Sequence, residues 1–265
     1  MIGCGCAQIG GMVEHSNNNG VPVAAVLIIG NEILSGGTQD INTSYIARKL
    51  AGIGVPLREV RIVPDVEEEI ISSVNALRAR YTYVFTTGGI GPTHDDITSA
   101  SIAKAFGVSL IKHPEALSRL AAFYTGGNLN AARVRMAYVP DGAELIDNPV
   151  SVAPGFKIEN VYVLAGVPMV MQAMMDAITS SLRRGPAILN ATVKCKVPES
   201  LIAEGLSSIA EKHTQLDIGS YPSFFPDGVG LSLIVRGTDE EEIKVAVREI
   251  RELVSPLDDG VSVEF

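Results

Sequence analysis

The stretch Tyr81-Thr82-Tyr83-Val84-Phe85-Thr86-Thr87-Gly88-Gly89-Ile90-Gly91-Pro92-Thr93-His94-Asp95-Asp96-Ile97 decides the fold. Tyr81 to Phe85 is apolar and β-prone, and it runs directly into three glycines. Ile97, Ala100, Ala103 and Phe106 then recur at helical spacing. A buried strand that turns through glycines into a helix is the joint from which parallel α/β sheets are built.

Working outward, Val23 to Ile29 is nearly all apolar and β-branched, as a strand buried on both faces requires. Ile41, Tyr45, Ile46 and Leu50 mark a helix ended by Gly52 and Gly54. Val55 to Val63 reads as a second strand. Val66, Ile70, Ile71, Val74 and Leu77 mark a second helix, with Asp65 as its expected N-cap. Beyond the glycine loop come a helix over 114–124, a break at Gly126-Gly127-Asn128 and a turn-rich loop from Asp147 to Gly155. A buried strand, Val161 to Leu164, follows. Gly166-Val167-Pro168 then leads into a helix over 169–182, whose Met169, Met171, Met174 and Met175 read as core filling. The repeated strand–helix–strand order predicts a mostly parallel sheet covered on both faces over residues 21–184.

Arg183-Arg184-Gly185-Pro186 reads as a boundary. From 187 to 265 the pattern is strand, helix, two strands, helix and a last short strand. That βαββαβ order predicts a small α+β domain of ferredoxin-like type.

Of the 265 residues, 46% are hydrophobic and 19% charged, enough to bury a sizeable core. The net charge of −9 and the lack of a basic stripe argue against a nucleic-acid partner. The longest apolar run, Val21 to Ile29, falls far short of the ~20 residues that span a bilayer. Residues 1–20 lack a signal peptide's basic start and long apolar middle, and read as a disordered leader. Cys4 and Cys6 in that leader have no neighbouring ligand and read as free thiols rather than a metal site. With Cys195 the cysteine count is odd, which fits a reducing cytoplasm.

The loop itself carries the chemistry. Glycines permit positive φ and close approach of a ligand to the main chain. Successive N–H groups ahead of a helix N-terminus form an anion cradle. The spacing is not that of a dinucleotide fingerprint. No Lys or Arg occurs over 81–103 or 30–47, two segments that should line one crevice, yet these hold Glu32, Asp40, Asp95 and Asp96. Carboxylates near a phosphate repel it by about 1 to 4 kcal/mol per pair at effective dielectrics of about 80 to 20. A divalent cation, Mg, Mn or Co, held by Asp95, Asp96, Asp40 and Glu32 would relieve that repulsion. Asp40 serves equally well as the N-cap of the helix that follows it. His94 and His113 lack spaced partners and read as turn or surface residues.

Gly30-Asn31-Glu32-Ile33-Leu34, Asp40-Ile41-Asn42, Thr86 to Ile97, Ala153-Pro154-Gly155-Phe156, Gly166-Val167-Pro168 and Ser220-Tyr221-Pro222 occur in an order that resembles the MoaB/Mog molybdopterin-binding family. Within it, the chain is most similar to the N-terminal half of CinA-type proteins and to the matching domain of eukaryotic FAD synthase. The resemblance implies a three-layer α/β/α domain and a homo-oligomer. It implies a pterin-phosphate or nucleotide pocket built from Gly30, Thr87, Gly88, Gly89, Gly91, Pro92, Thr93, Gly166 and Pro168, with molybdopterin as one ligand. It implies catalytic roles for Asp96 and Asp40, and, as the alternative to binding alone, metal-dependent hydrolysis of the pyrophosphate of ADP-ribose or FAD. Two carboxylates of the CinA-type pattern are missing, since Asn31 stands where that pattern has Asp and Val170 where it has Glu. Binding is expected to survive this and hydrolysis to suffer. Nicotinamide-nucleotide deamidation, the work of a further domain in full-length CinA-type proteins, is not expected of these residues.

Overall fold

In the structure, a computed structural model that describes residues 20–225 and 228–265, every residue of strand β1 (Ala24–Ile29) is buried. The expected leader, with Cys4 and Cys6, lies outside the described residues except for Gly20. The chain divides into one unit that ends at Gly185 and another from Pro186 to Phe265.

In the first unit β1 is followed by α1 (Asn31–Leu34), α2 (Asn42–Ala51), β2 (Leu57–Val63), α3 (Glu67–Arg78), β3 (Tyr83–Thr87) and α4 (Thr98–Phe106). Then come β4 (Leu110–Lys112), α5 (Pro114–Phe123), α6 (Ala131–Arg135), β5 (Tyr138–Pro140), β6 (Glu144–Ile146), β7 (Gly155–Ile158), β8 (Val161–Leu164) and α7 (Pro168–Thr179). The main sheet has the order β2-β1-β3-β8-β7-β6. The β2, β1, β3 and β8 ladders are parallel, while β7 is antiparallel to both its neighbours. Strand alternation sends Val26 and Ile28 to one face, against Ile46 and Leu50 of α2 and Met171 and Met174 of α7. Ala25, Leu27 and Ile29 face the other way, against Ile70, Val74 and Leu77 of α3 and Ile102 of α4. The result is a three-layer α/β/α domain.

The second unit runs β9 (Leu189–Cys195), α8 (Glu199–Lys212), β10 (Asp217–Phe225), β11 (Gly228–Gly237), α9 (Glu240–Val254) and β12 (Ser262–Glu264). Its antiparallel sheet has the order β10-β11-β9-β12. Ala191, Val193, Leu233 and Val235 pack against Ile202 of α8 and Ile243, Val247 and Ile250 of α9.

Three local expectations change. Asp65 does not cap α3, whose N-cap is Val66 without a side-chain hydrogen bond. Its carboxylate instead accepts the Asn31 N–H at 2.9 Å, across 34 residues. Ile41 precedes its helix and is exposed. Met169, in the first turn of α7, is also exposed, whereas Met171, Met174 and Met175 are fully buried.

The edge strand β2 is tied down by Glu59, whose carboxylate accepts from Tyr81 Oη at 2.6 Å, Arg61 Nε at 2.6 Å and Arg80 Nη1 at 3.1 Å. The Tyr81 and Arg61 hydrogen bonds hold this carboxyl below its ordinary pKa. A depressed carboxylate stabilises the fold above its unfolded pKa, and that contribution is lost as pH falls through the folded value. Glu59→Gln is therefore expected to lower the urea midpoint at neutral pH, with the difference from the native chain closing as both are acidified. Met174→Ala, at a fully buried site, is expected to cost about 2–5 kcal/mol by chemical denaturation.

Candidate functional site

The strand order places the site. From β1 the chain leaves toward β2, whereas from β3 it leaves toward β8. Crossovers that depart in opposite directions open a crevice at the carboxyl ends of two neighbouring strands. Here those ends are Ile29 and Thr87. A narrow cleft of about 50 Å³ lies there, lined by Ile28, Ile29, Thr87 and Gly88 together with Glu32, Thr38, Asp40, Asn42, Gly166 and Pro168.

Its walls are main chain in close contact. Gly88 has φ +103°, and a Cβ on it would lie 2.1 Å from the Ile29 carbonyl oxygen. Gly89 has φ +67°, and its Cβ would lie 2.1 Å from Thr98 Oγ1. A Cβ on Gly166 would stand 3.2 Å from Gly88 Cα. Thr98, fully buried at the start of α4, fixes the turn: its hydroxyl donates to the Gly88 carbonyl and its N–H to the Gly89 carbonyl, both at 3.0 Å. The Gly88 N–H is engaged by the Leu164 carbonyl at 3.3 Å. The N–H groups of Gly89, Ile90 and Gly91 donate to no protein acceptor among the described residues. Three successive amides therefore have no protein partner in the loop that leads to the N-terminus of α4.

The predicted carboxylates have distinct jobs. Asp40 Oδ1 accepts the N–H groups of Asn42 at 2.9 Å and Thr43 at 3.1 Å, so Asp40 caps α2 through one oxygen while the residue also lines the narrow cleft. Glu32 lies over Gly30, where a Cβ would come within 2.6 Å of its carboxylate. Asp96 Oδ2 accepts from the Thr93 N–H at 2.7 Å and the Thr93 hydroxyl at 2.6 Å, which closes the turn over Gly91. Asp95 is exposed beside His94, and the Thr93 hydroxyl and its own backbone N–H hold its carboxyl below the usual range, with His94 and Arg135 adding to the effect.

Glu32 and Asp40 share the narrow cleft with Thr87, Gly88, Gly166 and Pro168. Gly91 and Asp96 line a second, wider cleft further along the same loop. Gly89, Pro92, Thr93 and Asp95 belong to the same loop and line neither cleft, and Gly30 lies beside Glu32 with its N–H donated to Val63. Among the described residues no three His, Cys, Asp or Glu side chains gather closely enough to cage a cation. Magnesium is held in many phosphate sites by one or two carboxylates and the ligand's own phosphates, and Glu32 and Asp40 are the carboxylates that line the narrow cleft.

One residue of the site stood in the sequence only as part of the Asp40-Ile41-Asn42 motif, with no role of its own. Asn42 is only 7% exposed and lines the narrow cleft; its Nδ2 donates to the Gly166 carbonyl at 2.8 Å, while Oδ1 has no partner. A buried amide oxygen without a donor is costly, by about 1–3 kcal/mol, and is the kind of group a ligand satisfies. The available signal was a polar residue two places beyond the Asp40 cap, where the first turn of a helix begins. Gly88→Ala should combine a strained φ with a collision against Ile29, and a loss of at least about 1–3 kcal/mol by denaturation is expected, together with loss of any oxyanion affinity.

The family described as a probable molybdopterin binding domain matches residues 25–184, and that described as the FAD synthase middle domain matches 187–258. A protein of Aeropyrum pernix is 34% identical over 271 residues, which cover 96% of this chain and 99% of the relative. One of Thermococcus kodakarensis is 36% identical over 239 residues, covering 84% and 94%. The crystal structure of CinA from Thermoplasma acidophilum, a protein described as of unknown function, is 33% identical with a TM-score of 0.58, covering 61% of this chain and 98% of that one. With the fold, the glycine loop and the matched span in agreement, the chain belongs to the probable molybdopterin binding domain family.

Proposed function

We propose that the first unit binds a phosphorylated pterin or nucleotide, with a phosphate seated on the amides of Gly89, Ile90 and Gly91. The observation that carries this is the run of three undonated N–H groups between a buried strand and a helix N-terminus. Asn42 Oδ1 then accepts a hydroxyl or amine of the ligand, while its amide nitrogen keeps the Gly166 loop in place. Thr87, Gly88 and Pro168 supply the surrounding shape, and molybdopterin is one ligand of this class. The proposed setting is a homo-oligomer in the cytoplasm, in keeping with Cys195 as a free, buried thiol. Among the described residues no helix is long and apolar enough to cross a membrane.

A second function, hydrolysis of the pyrophosphate in ADP-ribose or FAD, is favoured by the presence of Glu32 and Asp40 in one cleft. These two carboxylates would hold a divalent cation, which when bound supplies charge neutralisation and activates water. Asp96 would keep the loop turn closed through Thr93, so that the scissile phosphate stays aligned.

AMP release from ADP-ribose and FAD with Mg, Mn or Co, set beside equilibrium binding of the same ligands, separates the two functions. Tight binding without turnover is expected, with affinity reduced about 10-fold or more in Asn42→Leu through the lost hydrogen bonds. Metal-dependent turnover that disappears in Asp96→Asn would instead make the chain a pyrophosphatase. Absence of any binding to the native chain would overturn both.

A further inference from the structure

A strand at the edge of a sheet offers unpaired N–H and C=O groups to any chain that can align with it, and most edges of this protein are blunted. Strands β4, β5, β6 and β12 are each three residues long, and β10 carries Pro222 within its nine. Strand β2 differs. It forms one edge of the six-stranded sheet with seven residues and no proline, bounded by Pro56 and Pro64. Two of its β-branched side chains, Val60 and Ile62, are each 42% exposed.

The direction of the free groups follows from the ladder. The Val63 carbonyl accepts the Gly30 N–H at 3.2 Å, so the main chain of Val63 is turned toward β1. Alternation along the strand turns Arg61 the same way, while Val60 and Ile62 present their N–H and C=O groups outward. Glu59 and Arg61 stand on the α3 side of the sheet, joined to each other at 2.6 Å and, through Glu59, to Tyr81. Val60 and Ile62 share the opposite side with Val26 and Ile28, their partners in register.

We infer that β2 is a contact surface for β2 of a second copy of this chain, aligned antiparallel about Val60; this rests on the homo-oligomer proposed above and gives it an interface. Charge and the flanking proline select the register. Centred on Val60, the alignment sets the two Val60 residues opposite each other as a hydrogen-bonded pair. It also sets each Glu59 opposite Arg61 of the other copy, at non-hydrogen-bonded positions, where facing side chains come closest. Centred on Arg61, two guanidinium groups would oppose each other. Centred on Ile62, Val60 would face Pro64, which has no N–H to give. In the favoured register the exposed valines are covered, and two free edges become the interior of one continuous sheet.

Sedimentation velocity on the full chain tests this surface. The native chain is expected to self-associate, and Val60→Lys to raise the dissociation constant by about tenfold or more. Val150→Lys, at another exposed valine of the first unit, is expected to leave it unchanged. Glu59→Arg and Arg61→Glu each place like charges opposite one another, so each is expected to dissociate alone and to associate when the two are mixed. Thermal melts verify folding, and if either charge variant fails to fold, the comparison of Val60→Lys with Val150→Lys decides. A native chain that stays monomeric would overturn both this surface and the homo-oligomer. An assembly that Val60→Lys leaves intact, or that Val150→Lys weakens equally, would overturn the surface while the homo-oligomer stands. Folded charge variants that do not associate on mixing would overturn the antiparallel register and the inference with it.

Discussion

The first unit depends on one steric constraint: the main chain at Gly88 must pass within contact distance of the Ile29 carbonyl on one side and Gly166 on the other. This brings the carboxyl ends of β1, β3 and β8 together without any side chain between them. Only a residue without a Cβ meets that requirement, and Gly88 does so at positive φ. The buried Thr98 then holds both Gly88 and Gly89 from behind, so the opening of α4 and the shape of the loop are a single construction.

What was legible in the sequence was what short-range patterns encode. The β-branched run of β1, the glycine string after β3 and the helical spacing behind it place the parallel core directly, because each is decided by burial within a few residues. The antiparallel strands β6 and β7 were less legible, being three and four residues long within a turn-rich stretch. Asp65 illustrates a different difficulty. A carboxylate before a helix reads as its cap, yet it reaches the Asn31 amide because β2 ends beside the turn that follows β1. The side-chain destination of an acid at a strand terminus depends on which strand lies alongside, and that is long-range information.

The same limit governs the site. Glu32, Asp40, Asp95 and Asp96 were legible as acids close to one crevice, but the separation of Glu32 and Asp40 from Asp96 into two clefts, with Asp95 in neither, follows from where α6 and β5 come to rest. Asp40 illustrates how one group meets two demands, since capping α2 uses one carboxylate oxygen and leaves the other available. Asn42 stood in the Asp40-Ile41-Asn42 motif without a role, because its unmet hydrogen bond is a property of the packed state rather than of the residue type.

A cradle of peptide amides has a consequence for how such a protein diversifies. Peptide groups are chemically alike in every sequence able to adopt the turn, so they recognise charge and radius and are blind to the rest of the ligand. Sequence change in the loop therefore either preserves this recognition or destroys the turn. Adaptation to a new ligand has to take place on the walls, where a side chain is free to be exchanged while the backbone turn stays as it is.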